Sequence, residues 1–351
     1  MMNKKSEAIE LSKEGRRLMR ERRYGESEKK YQAALQIEPR DVYSLVGLGD
    51  VSLKTRRFGE ALAYYERAIQ YDRKNKFALV GAGDACRGLK NLKRALDLWL
   101  RYLSFYPDDY QVMTRVADGL RRKREFEGAR RYYRKAMEKN PRDPYALMGL
   151  GEVFEAEGDY DEALAYYEKA IGGSADPCRP LSSAAKVLRR KKEYRTALEY
   201  YERILERNPD DPFAWHGRAD CLRGLGEHHA GLQSWEKAIL CGMEPRIALT
   251  RMGDACLSLG DLTAAEQHYR RAIDLGFDRY AYLGMAKVLA GKNEVDEAIR
   301  MLAFASQKEP GEPRIAAELK KMREIAKEMA QGAGPREPSE EGGPLHKDDE
   351  G

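Results

Sequence analysis

Residues 144–177 read PYALMGLGEVFEAEGDYDEALAYYEKAIGGSADP, and the fold turns on this stretch. Leu147, Leu150, Gly151 and Phe154 recur at helical spacing and share one face of a first helix. Ala163 and Tyr167 are four residues apart, so they share a face of a second helix. The ring of Tyr167 fills the space beside the small Ala163.

The same arrangement returns when the chain is slid against itself by 34 residues. Units begin at Ala8, Val42, Lys76, Tyr110, Pro144, Cys178, Pro212 and Arg246, and a ninth begins at Arg279. Their eighth residue is Gly15, Gly49, Gly83, Ala117, Gly151, Ala185, Ala219, Gly253 and Ala286, and their twentieth is equally small. Two helices must touch closely at those places. Position 24 is Tyr31, Tyr65, Trp99, Tyr133, Tyr167, Tyr201, Trp235 and Tyr269, then Leu302. Pro39, Pro107, Pro141, Pro209 and Pro310 stop the second helix at position 32.

Period, small positions and aromatic position together resemble the tetratricopeptide repeat. The resemblance covers Ala8 to about Glu312. It implies an all-α fold: a right-handed superhelical solenoid of antiparallel helix pairs, nine repeats over residues 8–312. Residues 1–7 lead into the first helix. Over 313–331, Pro313 opens a further helix whose Ile315, Leu319, Met322, Ala326 and Met329 form one apolar stripe. That pattern suits a terminal cap. Residues 332–351 shift to Gly, Pro and acid, a composition expected to be disordered.

Composition narrows the function. A third of the residues are charged with both signs abundant, and the net charge of +5 does not announce nucleic acid. No signal-peptide core and no run of eighteen apolar residues occurs, so no membrane association is expected. Cys86, Cys178, Cys221, Cys241 and Cys256 are scattered without a CxxC pair, as in a reduced cytoplasmic protein. No phosphate loop, HExxH or nucleophile elbow is present. His228 and His229 are adjacent and point apart on a helix, so no metal, no cofactor and no catalytic residue is expected.

In tetratricopeptide arrays the first helix of each repeat lines the inner groove through positions 2, 5, 9 and 12. That resemblance makes Tyr43, Phe77, Tyr145 and Phe213 apolar anchors at position 2. At position 9 it aligns Asp50, Asp84, Asp118, Glu152, Asp220 and Asp254 as an acidic ladder, for which packing alone suggests no reason. Asp84 with Arg87, Asp118 with Arg121 and Asp220 with Arg223 are also spaced to pair within a helix. Family members that capture a partner's C-terminal carboxylate use Lys and Asn there, so an acid ladder suits an extended, basic peptide instead. At the turn between helices, Arg121, Arg122, Lys123 and Arg124, then Arg189, Arg190, Lys191 and Lys192, mark a basic edge suited to an acidic partner. The expected function is a non-enzymatic scaffold that binds an extended segment of a partner protein in its groove. Alternatives are a nucleic-acid-associated repeat protein using the basic edge, and a regulatory subunit of a separate enzyme.

Overall fold

The computed structural model describes residues 4–332, and every regular element among them is a helix. The expectation for the acidic tail falls on residues outside that range, Gly332 excepted. The described chain divides between Gly173 and Ser174 into two units. The first holds α1 (Lys4–Arg20), α2 (Tyr24–Ile37), α3 (Val42–Lys54), α4 (Phe58–Tyr71) and α5 (Lys76–Gly88). It continues through α6 (Leu92–Phe105), α7 (Tyr110–Arg122), α8 (Phe126–Lys139), α9 (Pro144–Glu157) and α10 (Tyr160–Gly173). The second holds α11 (Cys178–Arg190), α12 (Tyr194–Arg207), α13 (Pro212–Gly224), α14 (His228–Leu240) and α15 (Pro245–Ser258). It ends with α16 (Leu262–Asp274), α17 (Arg279–Gly291), α18 (Val295–Lys308) and α19 (Pro313–Ala330). Within each unit these are antiparallel pairs stacked side by side, so the all-α repeat solenoid expected from the sequence is what forms.

Local chemistry sets where the first helices start. Asp41, Asn75, Asp109 and Asp143 each stand one residue before such a helix, and each side chain accepts from a backbone N–H of its first turn. A cap of this kind contributes about 1 kcal/mol. In all nine repeats the residue at position 15, between the two helices, has a left-handed backbone with φ from 60° to 84°. Gly158, Gly226 and Gly260 adopt it without strain, and Asn293 at modest cost. Arg22, Arg56, Lys90, Arg124 and Lys192 adopt it against their own preference. Replacing Arg56 and Arg124 together by glycine should therefore raise stability by roughly 0.5–1 kcal/mol per site. Thermal unfolding of the double variant checks this, and an unchanged or lower Tm would contradict it.

Between pairs, the rings at position 24 are the main packing element. Tyr65, Tyr133, Tyr167 and Tyr269 have no exposed surface. Tyr65 is wedged between Gly49 of its own repeat and Gly81 of the next, where an added Cβ would stand 2.5 Å and 2.3 Å from the ring. Tyr269 sits in the same way between Gly253 and Gly284. Backbones can come that close only where side chains are absent. Neighbouring first helices also touch directly, α1 with α3, α3 with α5 and α7 with α9 in the first unit. In the second unit α19 lays Ile315, Leu319 and Met322 against its neighbours and buries all three.

Candidate functional site

From the sequence, packing suggests no reason for an acid at position 9. The structure supplies one. The Tyr65 hydroxyl donates to Asp50 at 2.6 Å, the Tyr269 hydroxyl to Asp254 at 2.7 Å, and the Tyr133 hydroxyl to Asp118. A buried phenol needs an acceptor, and the carboxylate fifteen residues earlier reaches it. Tyr167 follows the rule with a different partner, donating to Glu155 at 2.8 Å. Burial pushes the Asp50 and Asp254 carboxyls above the usual aspartate value, against the pull of these hydroxyls.

Two repeats carry tryptophan instead of tyrosine, and there the acid finds arginine. Trp99 and Trp235 are buried and offer no hydroxyl. Asp84 lies 3.2 Å from Arg87 and 3.4 Å from Arg115 of the next repeat. Asp220 accepts from Arg189 at 2.7 Å. Position 6 of the following repeat, glycine beside most of the tyrosines, is Arg115 after Trp99 and Arg251 after Trp235. That covariation of positions 6 and 24 was visible in the sequence, as was the fifteen-residue spacing of acid and tyrosine. Neither was used in the sequence reading.

The remaining candidates fall into three places. Arg121 does not lie on the edge: it turns inward to Glu152 at 2.9 Å and Asp118 at 3.7 Å. Arg189 turns inward likewise, to Asp220. Arg122, Lys123, Arg124 and Lys192 are exposed at the turns, Arg190 and Lys191 half-buried, and Lys123 and Lys191 pair with Glu125 and Glu193. The position-2 residues stand out on the face of the first helices: Tyr145 is 69 % exposed, Phe77 61 % and Tyr43 43 %, with Phe213 at 73 % in the second unit. Beside them in the first unit open two cavities. One of about 340 Å³ is lined by Asp50, Phe77, Asp84, Gln111 and Arg115. The other, about 620 Å³, shares Gln111 and Arg115 and adds Arg87, Asp118 and Tyr145. Among the described residues no group of three or more His, Cys, Asp or Glu is placed to hold a metal, and no helix is long and apolar enough to cross a membrane.

Models of the tetratricopeptide repeat match residues 12–76, 53–110 and 116–177, then 179–221, then 248–275. The chain belongs to the tetratricopeptide repeat family. None of the curated proteins matches it. Among solved structures, pilF of Pseudomonas aeruginosa is 18% identical with a TM-score of 0.51, over 59% of this chain and 94% of its own. The Cut9–Hcn1 hetero-tetramer of APC/C is 17% identical with a TM-score of 0.52, over 84% of this chain and 58% of that one. A tetratricopeptide repeat protein from Parabacteroides merdae is 17% identical with a TM-score of 0.46, over 81% of this chain and 99% of its own. At these identities the likeness to the first two shows the tetratricopeptide fold alone.

Proposed function

We propose that this tetratricopeptide protein is a non-enzymatic scaffold that holds an extended segment of a partner protein along the first helices of its first unit. The tetratricopeptide fold generally serves protein–protein contact through such a groove. One observation carries the reading here: Phe77 and Tyr145 expose large rings and line two cavities that share Gln111 and Arg115, with Tyr43 exposed at the same position of an earlier first helix, while the rings at position 24 are buried. Exposed aromatics beside a concave surface are what anchor a partner's side chains.

The position-9 acids act mainly inside the scaffold, which narrows what they offer a ligand. Asp84 and Glu152 face arginines, while Asp50 and Asp118 give one oxygen each to a tyrosine. Asp50 and Asp118 also line the cavities, so their second oxygens suit a backbone N–H or a Lys or Arg side chain of the segment. A second contact, with an acidic partner, is favoured by the arginines and lysines kept at the strained turns of the basic edge.

The test is Phe77→Ala with Tyr145→Ala, assayed against the partner segment. Both rings are largely solvent-exposed, so helicity and Tm should hold while each change costs about 2 kcal/mol in affinity. Unchanged affinity in the double variant would sink the groove reading. Loss of binding only in an Arg122→Gln, Arg124→Gln variant would move the site to the edge.

A further inference from the structure

Repeat seven departs from its neighbours at three positions that line one opening. Positions 4 and 7 of the first helix are buried hydrophobic residues in repeats two to six, eight and nine, as Leu147 and Leu150 are in repeat five. On α13 they are Trp215 and Arg218, both only half-buried. Position 23, on the second helix, is a half-buried tyrosine in repeats two, four, five and six, and on α14 it is Ser234. A serine cannot cover what a tyrosine ring covers. An opening of about 660 Å³ is left between α12, α13 and α14, inside the second unit. Giving up two buried apolar residues costs core burial, and departures of this kind concentrate where function requires them.

The floor of the opening is fixed by its own contacts. The Trp215 indole N–H donates to the Pro209 carbonyl at 2.8 Å. Nη1 of Arg218 donates to Oγ of Ser234 at 2.5 Å, and its guanidinium lies 5.7 Å from the centre of the Trp215 ring. Its Nε lies 3.6 Å from Glu202, so the charge of Arg218 is answered within the wall. Two kinds of surface remain for a ligand. Trp215, Pro209 and Leu240 are apolar, and Leu240 is 78 % exposed at a position that is polar or glycine in the first six repeats. Glu206 and Glu236 stand exposed on the rim against one further cation, Lys237. A tryptophan–arginine pair in an apolar recess with a charged rim is the composition of a protein contact centre.

We propose that this opening in repeat seven docks a segment of a partner protein that presents one large apolar side chain with a lysine or arginine beside it. The apolar side chain lies on Trp215 and against Pro209 and Leu240, and the cation meets Glu206 and Glu236. With Arg218 answered by Glu202, the rim keeps two carboxylates against Lys237, and that excess selects a basic flank over an acidic one. The site goes beyond the groove reading and does not rest on it, since it lies in the second unit and uses none of Tyr43, Phe77 or Tyr145.

The probe is a displayed library of random peptides, selected on the full chain carrying Phe77→Ala and Tyr145→Ala so that the groove does not dominate the outcome. Enriched peptides should share a large apolar residue with a lysine or arginine within about one helical turn of it. Trp215 reports binding directly. Trp99 and Trp235 are buried, so of the chain's three tryptophans Trp215 alone meets a soluble quencher such as iodide. An enriched peptide, synthesised alone, should protect it. Refilling the opening with the residues of repeat five, Trp215→Leu, Arg218→Leu and Ser234→Tyr, should weaken that peptide by about tenfold or more with Tm equal or higher. Should the refilled chain fail to fold, Leu240→Ser replaces it, an exposed change that should weaken the peptide at unchanged Tm. Glu206→Gln with Glu236→Gln should weaken it too and flatten the salt dependence of its binding. Enrichment of acidic peptides, or of none that protect Trp215, overturns the proposal, and so does wild-type affinity in the refilled chain or in Leu240→Ser. Protection of Trp215 that grows with protein concentration alone assigns the opening to a second copy of this chain and overturns it as well.

Discussion

Gly81→Val should unfold the first unit far more readily than its small size suggests. A Cβ at Gly81 would stand 2.3 Å from Cζ of Tyr65, a distance no packed pair of carbons tolerates. The ring has nowhere to retreat. Gly49 closes its other side, and its hydroxyl is tied to Asp50 at 2.6 Å. Overpacking a closed core typically costs about 1–3 kcal/mol, and a β-branched residue belongs at the upper end of that range. Gly81→Ala gains up to about 1 kcal/mol of helix propensity and should still be destabilising. Gly59 is also helical but meets nothing within 4 Å of an added Cβ, so Gly59→Ala should be neutral or stabilising. Urea unfolding of the three variants decides the matter. Equal effects at Gly81 and Gly59 would show that the ring is not held as described.

Alkali should dissolve the first unit over a narrow pH range. Tyr31, Tyr65, Tyr102, Tyr133 and Tyr167 all belong to it, and burial foremost pushes every one of these phenols above the ordinary value of 10.0. In four of them a carboxylate that accepts the hydroxyl adds to the shift. The sign follows from proton counting. Unfolded tyrosine loses its proton near pH 10 while the folded residue keeps it, so the unfolded chain binds fewer protons there. Stability from these groups is complete below pH 10 and is lost as pH rises toward the folded values. One such phenol contributes about 1.4 kcal/mol per pH unit, and five together about 7 kcal/mol, comparable to the whole stability of a typical domain. Helical circular dichroism should therefore be lost in one steep step above pH 10, and the tyrosinate absorbance of these five buried rings should appear in that same step, after that of exposed tyrosines such as Tyr145. Ionisation of the buried five with helicity intact would contradict the buried tyrosine–carboxylate pairing.

The repeat was legible because its determinants are local and recur. Small residues at positions 8 and 20, an aromatic at 24 and a proline at 32 each act within one or two turns of helix, and the period makes them stand out. What the acids at position 9 do was not legible in the same way. Their partners are fifteen residues on in the second helix, or one repeat away, as Arg115 is for Asp84 and Arg121 for Glu152. Reading single positions down the repeats shows a ladder. Only reading positions 6, 9 and 24 jointly shows that Asp50, Asp118 and Asp254 meet the tyrosine of their own repeat, while Asp84 and Asp220, in the tryptophan repeats, meet arginines instead. Arg121 and Arg189 were grouped with the turn by their neighbours in sequence, yet a helix turns about 100° per residue. Their guanidiniums consequently face inward while Arg122 and Lys123 stay exposed.

The aromatic face is the central claim, and contact mapping reaches it most directly. A photo-crosslinking amino acid placed at Phe77, at Tyr145 and, as control, at Tyr132 on a second helix would be irradiated with native extract. Captured segments would then be identified by mass spectrometry. The account predicts that one partner segment is captured from both Phe77 and Tyr145 and not from Tyr132. It also predicts that the same segment, synthesised alone, binds the full chain and loses affinity to Phe77→Ala with Tyr145→Ala. Different segments at the two inner positions, or equal capture from Tyr132, would contradict it.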